Sequence, residues 1–186
     1  GNAFDTTKTI NVVSREDGSG TRGAFIELMG IEEKDANGNK VDHTTPEATT
    51  VSSTDVVMTT VAGDTYAIGY ISLGSLNETV KAVSVDGVEA TSANVKDGIY
   101  AVARPFNIAT KGEVSVVAQD FINYIMSKEG QEVVAGSYIP VLDDAPAFST
   151  EKPQGKIVVA GSSSVTPVME KLQEAYMALN PNATIE

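Results

Sequence analysis

The chain has 186 residues, of which 41% are hydrophobic, so it is long enough for one sizeable domain or two small lobes. Its 25 acidic residues outnumber the 13 basic ones, giving a net charge of −12, which argues against nucleic acid as a partner because such binding depends on Lys and Arg. The absence of Cys excludes a disulfide framework and a thiolate metal site.

The start of the chain, Gly1-Asn2-Ala3-Phe4, has neither an initiator Met nor a charged-then-apolar targeting pattern. We therefore expect that a signal was removed or that the chain was cut from a longer protein. No apolar run approaches the roughly 20 residues of a membrane span.

The first predicted unit is a strand at residues 10–13, a glycine-rich turn, and a helix. Its apolar helix face is formed by Ala24, Phe25, Leu28 and Met29. Residues 31–48 are polar and contain the turn signal Asn37-Gly38, which predicts an insertion or hairpin. The single histidine, His43, lies there without a second ligand or nucleophile at suitable spacing, and we interpret it as a loop residue.

The sequence pattern in the middle of the chain predicts short helices and strands followed by one strongly amphipathic helix. A helix is capped by residues 52–55 and runs to about Ala62. Strands follow at 66–71, 80–85 and 100–103, and a short helix at 92–98 lies between the last two strands. A helix at 113–136 comes next. Its apolar stripe repeats at i, i+4, i+7 and i+8, which is typical of core packing: Val117, Phe121, Tyr124 and Ile125.

The end of the chain predicts a second β–loop–α–β unit. Residues 142–155 are rich in Pro and charge and are interpreted as a linker. A strand at 156–160 leads to a helix with Pro167 in its first turn, where the missing N–H costs nothing. Asn180-Pro181 ends this helix, and a last strand begins at Ala183. The predicted buried helix face comprises Val168, Met169, Leu172, Tyr176 and Leu179.

Both β–loop–α units place glycine and small hydroxyl residues where a strand turns into a helix. The first N–H groups of a helix lack partners and its dipole favours negative charge, so both loops are candidate anion sites. In the first loop, Arg15 can donate paired hydrogen bonds to an anion, and Asp17 is close enough in sequence to orient its guanidinium. The same pattern also fits a capped helix after a glycine turn, so from the residues alone both interpretations stay open.

Catalytic loop motifs are missing from both segments. Neither loop supplies the lysine of a nucleotide-binding P-loop, and Gly18-Ser19-Gly20 does not have the G-x-S-x-G spacing of a hydrolase nucleophile. No base, metal cluster or nucleophile can be assembled, so we predict that the protein is not an enzyme and needs no cofactor.

The first loop carries a family resemblance. The run from Val12 to Phe25, with Ala67–Tyr70, Arg104–Ile108 and Phe121–Gln131, resembles PstS-type phosphate-binding proteins. The resemblance implies an α/β fold of the type II periplasmic-binding class, with mixed sheets flanked by helices in two lobes, here incomplete. By position it implies that four residues of one lobe are phosphate ligands: Arg15, Ser19, Gly20 and Thr21.

The segment at 155–167 resembles the beginning of a mature family member, although it stands near the end of this chain. The resemblance implies phosphate contacts from Ser163, Ser164 and the N–H of Val165. The order fits either a fragment of tandem modules, favoured by the linker, or a circular permutation. We accordingly divide the chain into 1–141, forming the second lobe and a return into the first, the linker at 142–155, and the start of a first lobe at 156–186.

The resemblance also implies a function. It indicates a receptor that binds inorganic phosphate outside the cytoplasm, as a cell-surface lipoprotein or in the periplasm, and delivers it to an ABC permease. The alternative is a phosphate or oxyanion sensor, or a surface-binding module without transport. In the family a Gly/Ser-rich turn and an aspartate that line the site follow the last strand, and these are absent before Glu186. We therefore expect weak binding, or a swapped homodimer in which another copy completes the site.

Overall fold

The computed structural model describes residues 5–186 and divides into two compact units, Gly1–Arg104 and Pro105–Glu186. The predicted division at residues 141 and 155 stays a prediction. The N-terminal sequence on which the targeting prediction rests lies outside the described residues. No helix within residues 5–186 combines the length and apolar character that a membrane span requires.

The first unit is built on a parallel three-stranded sheet with β1 (Asn11–Arg15) in the middle. Strand β4 (Thr49–Val51) pairs with β1 on one side and β5 (Ala67–Ile68) on the other. Helix α1 (Gly20–Leu28) follows β1, and α2 (Thr54–Gly63) follows β4. The core of this unit is apolar and comprises Val13, Ile26, Val57 and Met58.

The predicted hairpin in residues 31–48 is confirmed. Strands β2 (Glu32–Lys34) and β3 (Lys40–Asp42) pair antiparallel, with Glu32 opposite Asp42. Gly38 turns the chain with φ of 83°, a left-handed conformation that favours glycine. The hairpin therefore places its last residue, Asp42, close to its first.

The strand predictions between residues 66 and 103 are partly wrong. The strand predicted at 66–71 is reduced to β5, and residues 80–85 and 100–103 form no strand. Around residues 85–88 there is only an isolated bridge between Val85 and Val88. A β-type run becomes a strand only when a neighbouring strand supplies its hydrogen bonds, and no sheet in the described chain pairs with these runs. A 3₁₀ turn (Leu73–Ser75) and the predicted short helix, α3 (Ser92–Lys96), occupy this stretch.

The predicted apolar face of α1 is also partly wrong. Ile26 is the buried residue of this helix, whereas Leu28 and Met29 are exposed. The helix ends at Leu28, so Met29 is already its C-cap residue. Phe25 packs its ring on Tyr70, with centroids 4.1 Å apart and planes 8° from parallel.

The second unit contains three helices and a two-stranded parallel sheet. The helix predicted at 113–136 is two helices, α4 (Val116–Ile125) and α5 (Lys128–Ala135), because Ser127 starts a new helix by capping the Gly130 N–H. Helix α6 (Thr166–Leu179) lies in sequence between β6 (Gly155–Ile157) and β7 (Ala183–Ile185). The strand predicted at 156–160 thus ends three residues early.

The predicted α4 stripe is confirmed as core. All four of its side chains are buried and pack with α6, whose buried residues are Val168, Leu172 and Tyr176. Met169 is half-buried, and Leu179, also predicted to be buried, is 43% exposed at the end of the helix. Pro167 stands in the first turn of α6, as predicted.

Residues 142–155 pack within the second unit. The ring of Phe148 lies 5.1 Å from that of Tyr124 on α4, edge to face. The Thr150 hydroxyl donates to Asp120 Oδ2 at 2.7 Å. An aromatic contact and a hydrogen-bonded hydroxyl fix this segment on α4.

Candidate anion-binding site

The first candidate loop lies at the carboxyl edge of the parallel sheet. Strand β1 ends at Arg15 and α1 begins at Gly20, while β4 ends at Val51 and α2 begins at Thr54. Since β1 and β4 are parallel, both helices start at the same edge. This is the edge of an open α/β sheet at which ligands generally bind.

The start of α1 concentrates hydrogen-bond donors. Ser19 is the N-cap, and its Oγ accepts from the Arg22 N–H at 3.3 Å, which leaves the hydroxyl hydrogen able to donate elsewhere. Gly20 and Thr21 follow in the first turn, where the helix itself offers their N–H groups no acceptor. The Ser19 N–H donates to Glu16 O at 3.2 Å and thereby closes the loop. Three consecutive residues thus supply donors suited to an oxyanion.

Arg15 is buried at this edge, with its side chain only 3% exposed. Glu16 receives two hydrogen bonds from it, at 2.8 Å from Nε and 2.9 Å from Nη2. Nη1 donates to Thr54 Oγ1 at 3.4 Å. The hydrogen bonds from Arg15 hold the pKa of Glu16 below its usual value, so this carboxylate stays ionised and fixes the guanidinium plane.

The orienting carboxylate differs from the predicted one. Asp17 is exposed and lies 2.9 Å from Nη1 of Arg22, whereas Glu16 holds Arg15. In a tight loop, adjacent side chains point in different directions, and residue 16 is the one that faces the guanidinium. Sequence proximity could not distinguish the two carboxylates.

Tyr70 anchors the backbone that leads into the loop. Its hydroxyl accepts the Arg15 N–H at 3.1 Å and lies 2.8 Å from the Ser14 hydroxyl. Ser14 and Arg15 are 1% and 2% exposed, so these groups cannot form hydrogen bonds with water instead. Stacking on Phe25 of α1 fixes the tyrosine ring.

Three residues near the site were missed by the sequence reasoning: Glu16, Thr54 and Tyr70. Thr54 was recognised only as part of a helix cap. The signal that could have identified Thr54 is that β4 and α2 form another strand–loop–helix segment in the same sheet. Because β1 and β4 are parallel, they bring the starts of α1 and α2 together. Tyr70 lay in a stretch interpreted as a strand and as part of the family resemblance, without a role at the site.

The second candidate loop, before α6, is organised differently. The hydroxyls of Ser162 and Ser164 are 2.9 Å apart, and the Ser164 C=O accepts from Tyr138. Ser164 is buried and Ser163 is half-buried. The Val165 N–H, predicted to contact phosphate, instead donates to Ser162 O at 3.0 Å. In this loop the predicted backbone donor is therefore engaged in its own turn.

The predicted site residues fall into two separate sets. The first unit brings together Arg15, Ser19, Gly20 and Thr21 in one loop, and the second unit holds Ser163, Ser164 and Val165 in another. No group of three His, Cys, Asp or Glu suited to a metal occurs within residues 5–186. His43 follows β3, exposed and 4.0 Å from a carboxylate oxygen of Glu33.

Comparisons with known proteins show the family of this chain. The family described as PBP superfamily domain matches residues 4–129. Phosphate-binding protein PstS 2 of Streptococcus agalactiae is 57% identical over 180 residues, covering 96% of this chain and 61% of that protein. This chain therefore spans about three fifths of the length of that relative.

Two solved structures are similar as well. The phosphate-binding protein of a phosphate ABC transporter from Streptococcus pneumoniae is 47% identical, with a TM-score of 0.79 over 96% of this chain and 70% of that one. A substrate-binding protein of a phosphate ABC transporter from Clostridium perfringens, solved with bound phosphate, is 41% identical, with a TM-score of 0.63 over 72% of this chain and 52% of that one. These matches confirm the predicted resemblance and the α/β fold class.

Proposed function

This chain belongs to the PBP superfamily domain family, and we propose that it forms part of a receptor that binds inorganic phosphate for an ABC importer. The observation that carries the proposal is the loop from Arg15 to Thr21. A buried, carboxylate-oriented guanidinium stands there beside the donor-rich start of a helix. The names of the similar proteins support phosphate as the anion.

The loop suits a dehydrated oxyanion better than a charge-driven contact. Glu16 offsets the charge of Arg15, so the attraction comes mainly from oriented N–H and O–H groups. Hydrogen bonds to Glu16 and Thr54 fix the plane of the Arg15 guanidinium at the start of the loop. We propose that Arg15, the Ser19 hydroxyl and the N–H groups of Gly20 and Thr21 bind phosphate oxygens.

We further propose that Ser163 and Ser164 of the second loop also bind phosphate oxygens. Val165 would join them only by releasing its N–H from Ser162. The S. agalactiae relative matches 96% of this chain, which leaves about seven residues outside, so that relative contains both loops in the same order. Because 180 residues are 61% of its length, it has about 295 residues.

That length favours a permuted segment order. In the C. perfringens structure, 72% of our 186 residues match 52% of the chain, which gives about 258 residues for a single receptor. A protein of about 295 residues has no room for two such modules. We therefore favour circular permutation over tandem repetition. An extracytoplasmic location and an ABC permease as partner are proposed on the same relatives.

Isothermal titration calorimetry with phosphate, and with sulfate for comparison, tests the proposed function. We expect saturable phosphate binding that weakens at least about tenfold in Arg15→Gln, since a hydrogen bond to a charged group contributes about 1.5–3 kcal/mol. Lys40→Gln is the control, because it removes one positive charge from an exposed hairpin residue of the same unit. Phosphate heat that is absent from the unmodified chain, or unchanged in Arg15→Gln, would contradict the proposal. Native mass spectrometry of the loaded protein distinguishes a monomer from a swapped dimer.

A further inference from the structure

Arg22 occupies an unfavourable position for a cation. It is the third residue of α1, and a positive charge near a helix N-terminus opposes the helix dipole. Its side chain is nevertheless only 17% exposed. Such a placement requires specific partners.

The guanidinium of Arg22 connects three parts of the first unit. Nη1 donates to the main-chain oxygen of Arg15 at 2.8 Å, at the end of β1. The same nitrogen lies 2.9 Å from Asp17 in the loop. Nε and Nη2 lie 2.9 and 2.8 Å from Oδ2 of Asp42, the last residue of the β2–β3 hairpin. One side chain thus fixes the loop relative to the strand before it and the hairpin beside it.

Asp42 is itself held in place. Its Oδ1 accepts from the N–H and the hydroxyl of Thr44, at 2.7 and 2.6 Å, while Oδ2 faces Arg22. Burial alone would raise the pKa of Asp42, but the hydrogen bonds from Thr44 and Arg22 outweigh it and lower that pKa. The carboxylate therefore remains an ionised, fixed acceptor at neutral pH.

We propose that Arg22 is a positioning residue for the anion-binding loop and acts through the hairpin, without contacting the anion. The proposal rests on the proposed phosphate function. Asp17 and Asp42 already offset its charge, and most of its N–H donors are directed to protein oxygens. By holding the Arg15 carbonyl and, through its own N–H, the Ser19 hydroxyl oxygen, Arg22 orients both ends of the loop.

The experiment combines Arg22→Gln, Arg22→Lys and Asp42→Asn, with Lys40→Gln as a control on the same hairpin. Residue-resolved hydrogen exchange is measured at the Ser19 amide, which donates to Glu16, and along α2. We expect about tenfold faster exchange at Ser19 in all three variants, with α2 unchanged. We also expect the phosphate dissociation constant to rise about fivefold or more, as for the loss of a bond to a charged group.

Arg22→Lys separates positioning from simple charge attraction. Lysine keeps the positive charge but lacks the planar fork that reaches three acceptors at once. Wild-type phosphate affinity in Arg22→Lys would overturn the proposal, as would unchanged exchange at Ser19. Equally faster exchange throughout the first unit would also overturn it, because it would show a general structural role. If the unmodified chain binds no phosphate, the proposed function fails separately, and local exchange at Ser19 alone decides whether Arg22 positions the loop.

Discussion

Replacement of Gly130 by Ala should strongly destabilise the second unit. A Cβ at this position would lie 2.0 Å from Tyr124 O and 2.7 Å from Ile125 O, both main-chain atoms at the end of α4. Those oxygens accept hydrogen bonds from Ser127 Oγ at 2.6 Å and Gln131 Nε2 at 2.8 Å. The junction between α4 and α5 must therefore open, and its buried hydrogen bonds must stretch or break.

The magnitude follows from these contacts. Overpacking costs about 1–3 kcal/mol, and two buried hydrogen bonds add about 1 kcal/mol each. The better helix propensity of alanine offsets about 1 kcal/mol of this destabilisation. We therefore expect Gly130→Ala to lower the free energy of unfolding of the second unit by about 2–4 kcal/mol.

Urea denaturation followed by pulsed hydrogen exchange and mass spectrometry measures this loss in each unit separately. Peptides from α4 report on the second unit, and peptides from α2 on the first. Gly23→Ala is the control, because an added Cβ within α1 would meet no atom within 4 Å. It should stabilise the first unit by about 0.5–1 kcal/mol. A loss below about 0.5 kcal/mol in Gly130→Ala would refute the steric reasoning.

Two further predictions concern tyrosine hydroxyls. Tyr70→Phe should destabilise the first unit by about 1–3 kcal/mol in the same assay, because it removes the hydroxyl that accepts the buried Arg15 N–H and hydrogen-bonds with the Ser14 hydroxyl. Tyr100→Phe should change stability by less than about 0.5 kcal/mol, since its hydroxyl makes no hydrogen bond to any residue in 5–186, and an equal loss in both variants would contradict the prediction. Burial raises the pKa of Tyr176 from 10.0 to about 12, so its contribution to stability is complete below pH 10 and is lost as the pH rises toward 12. Urea midpoints across this range should fall less steeply in Tyr176→Phe than in the unmodified chain, and parallel curves would disprove the assignment.

Features with a local cause could be predicted from the sequence. The apolar repeat on α4 predicted a core stripe, and all four side chains are buried. The Asn37-Gly38 turn predicted the hairpin, and Pro167 predicted the first turn of α6. The glycine and hydroxyl residues from Gly18 to Thr21 predicted a donor-rich helix start. Each of these depends on neighbours within a few residues, which a linear pattern contains.

Features that depend on a distant partner were not predictable in the same way. Residues 80–85 have a β-type composition but find no neighbouring strand. Residues 142–155 have the composition of a linker, yet Phe148 packs on Tyr124 and fixes the segment. Whether a segment pairs or packs depends on what the rest of the chain places beside it.

The candidate site shows the same division. The sequence by itself determined that Arg15 stands before a helix start rich in hydroxyl and backbone donors, because that arrangement is local. Only the tertiary structure decided that Glu16, and not Asp17, orients Arg15, and that Thr54 and Asp42 reach the same loop. The parallel pairing of β1 with β4, and the return of the hairpin, bring residues 20 to 39 positions away in sequence within hydrogen-bond distance. Sequence spacing carries no record of those contacts.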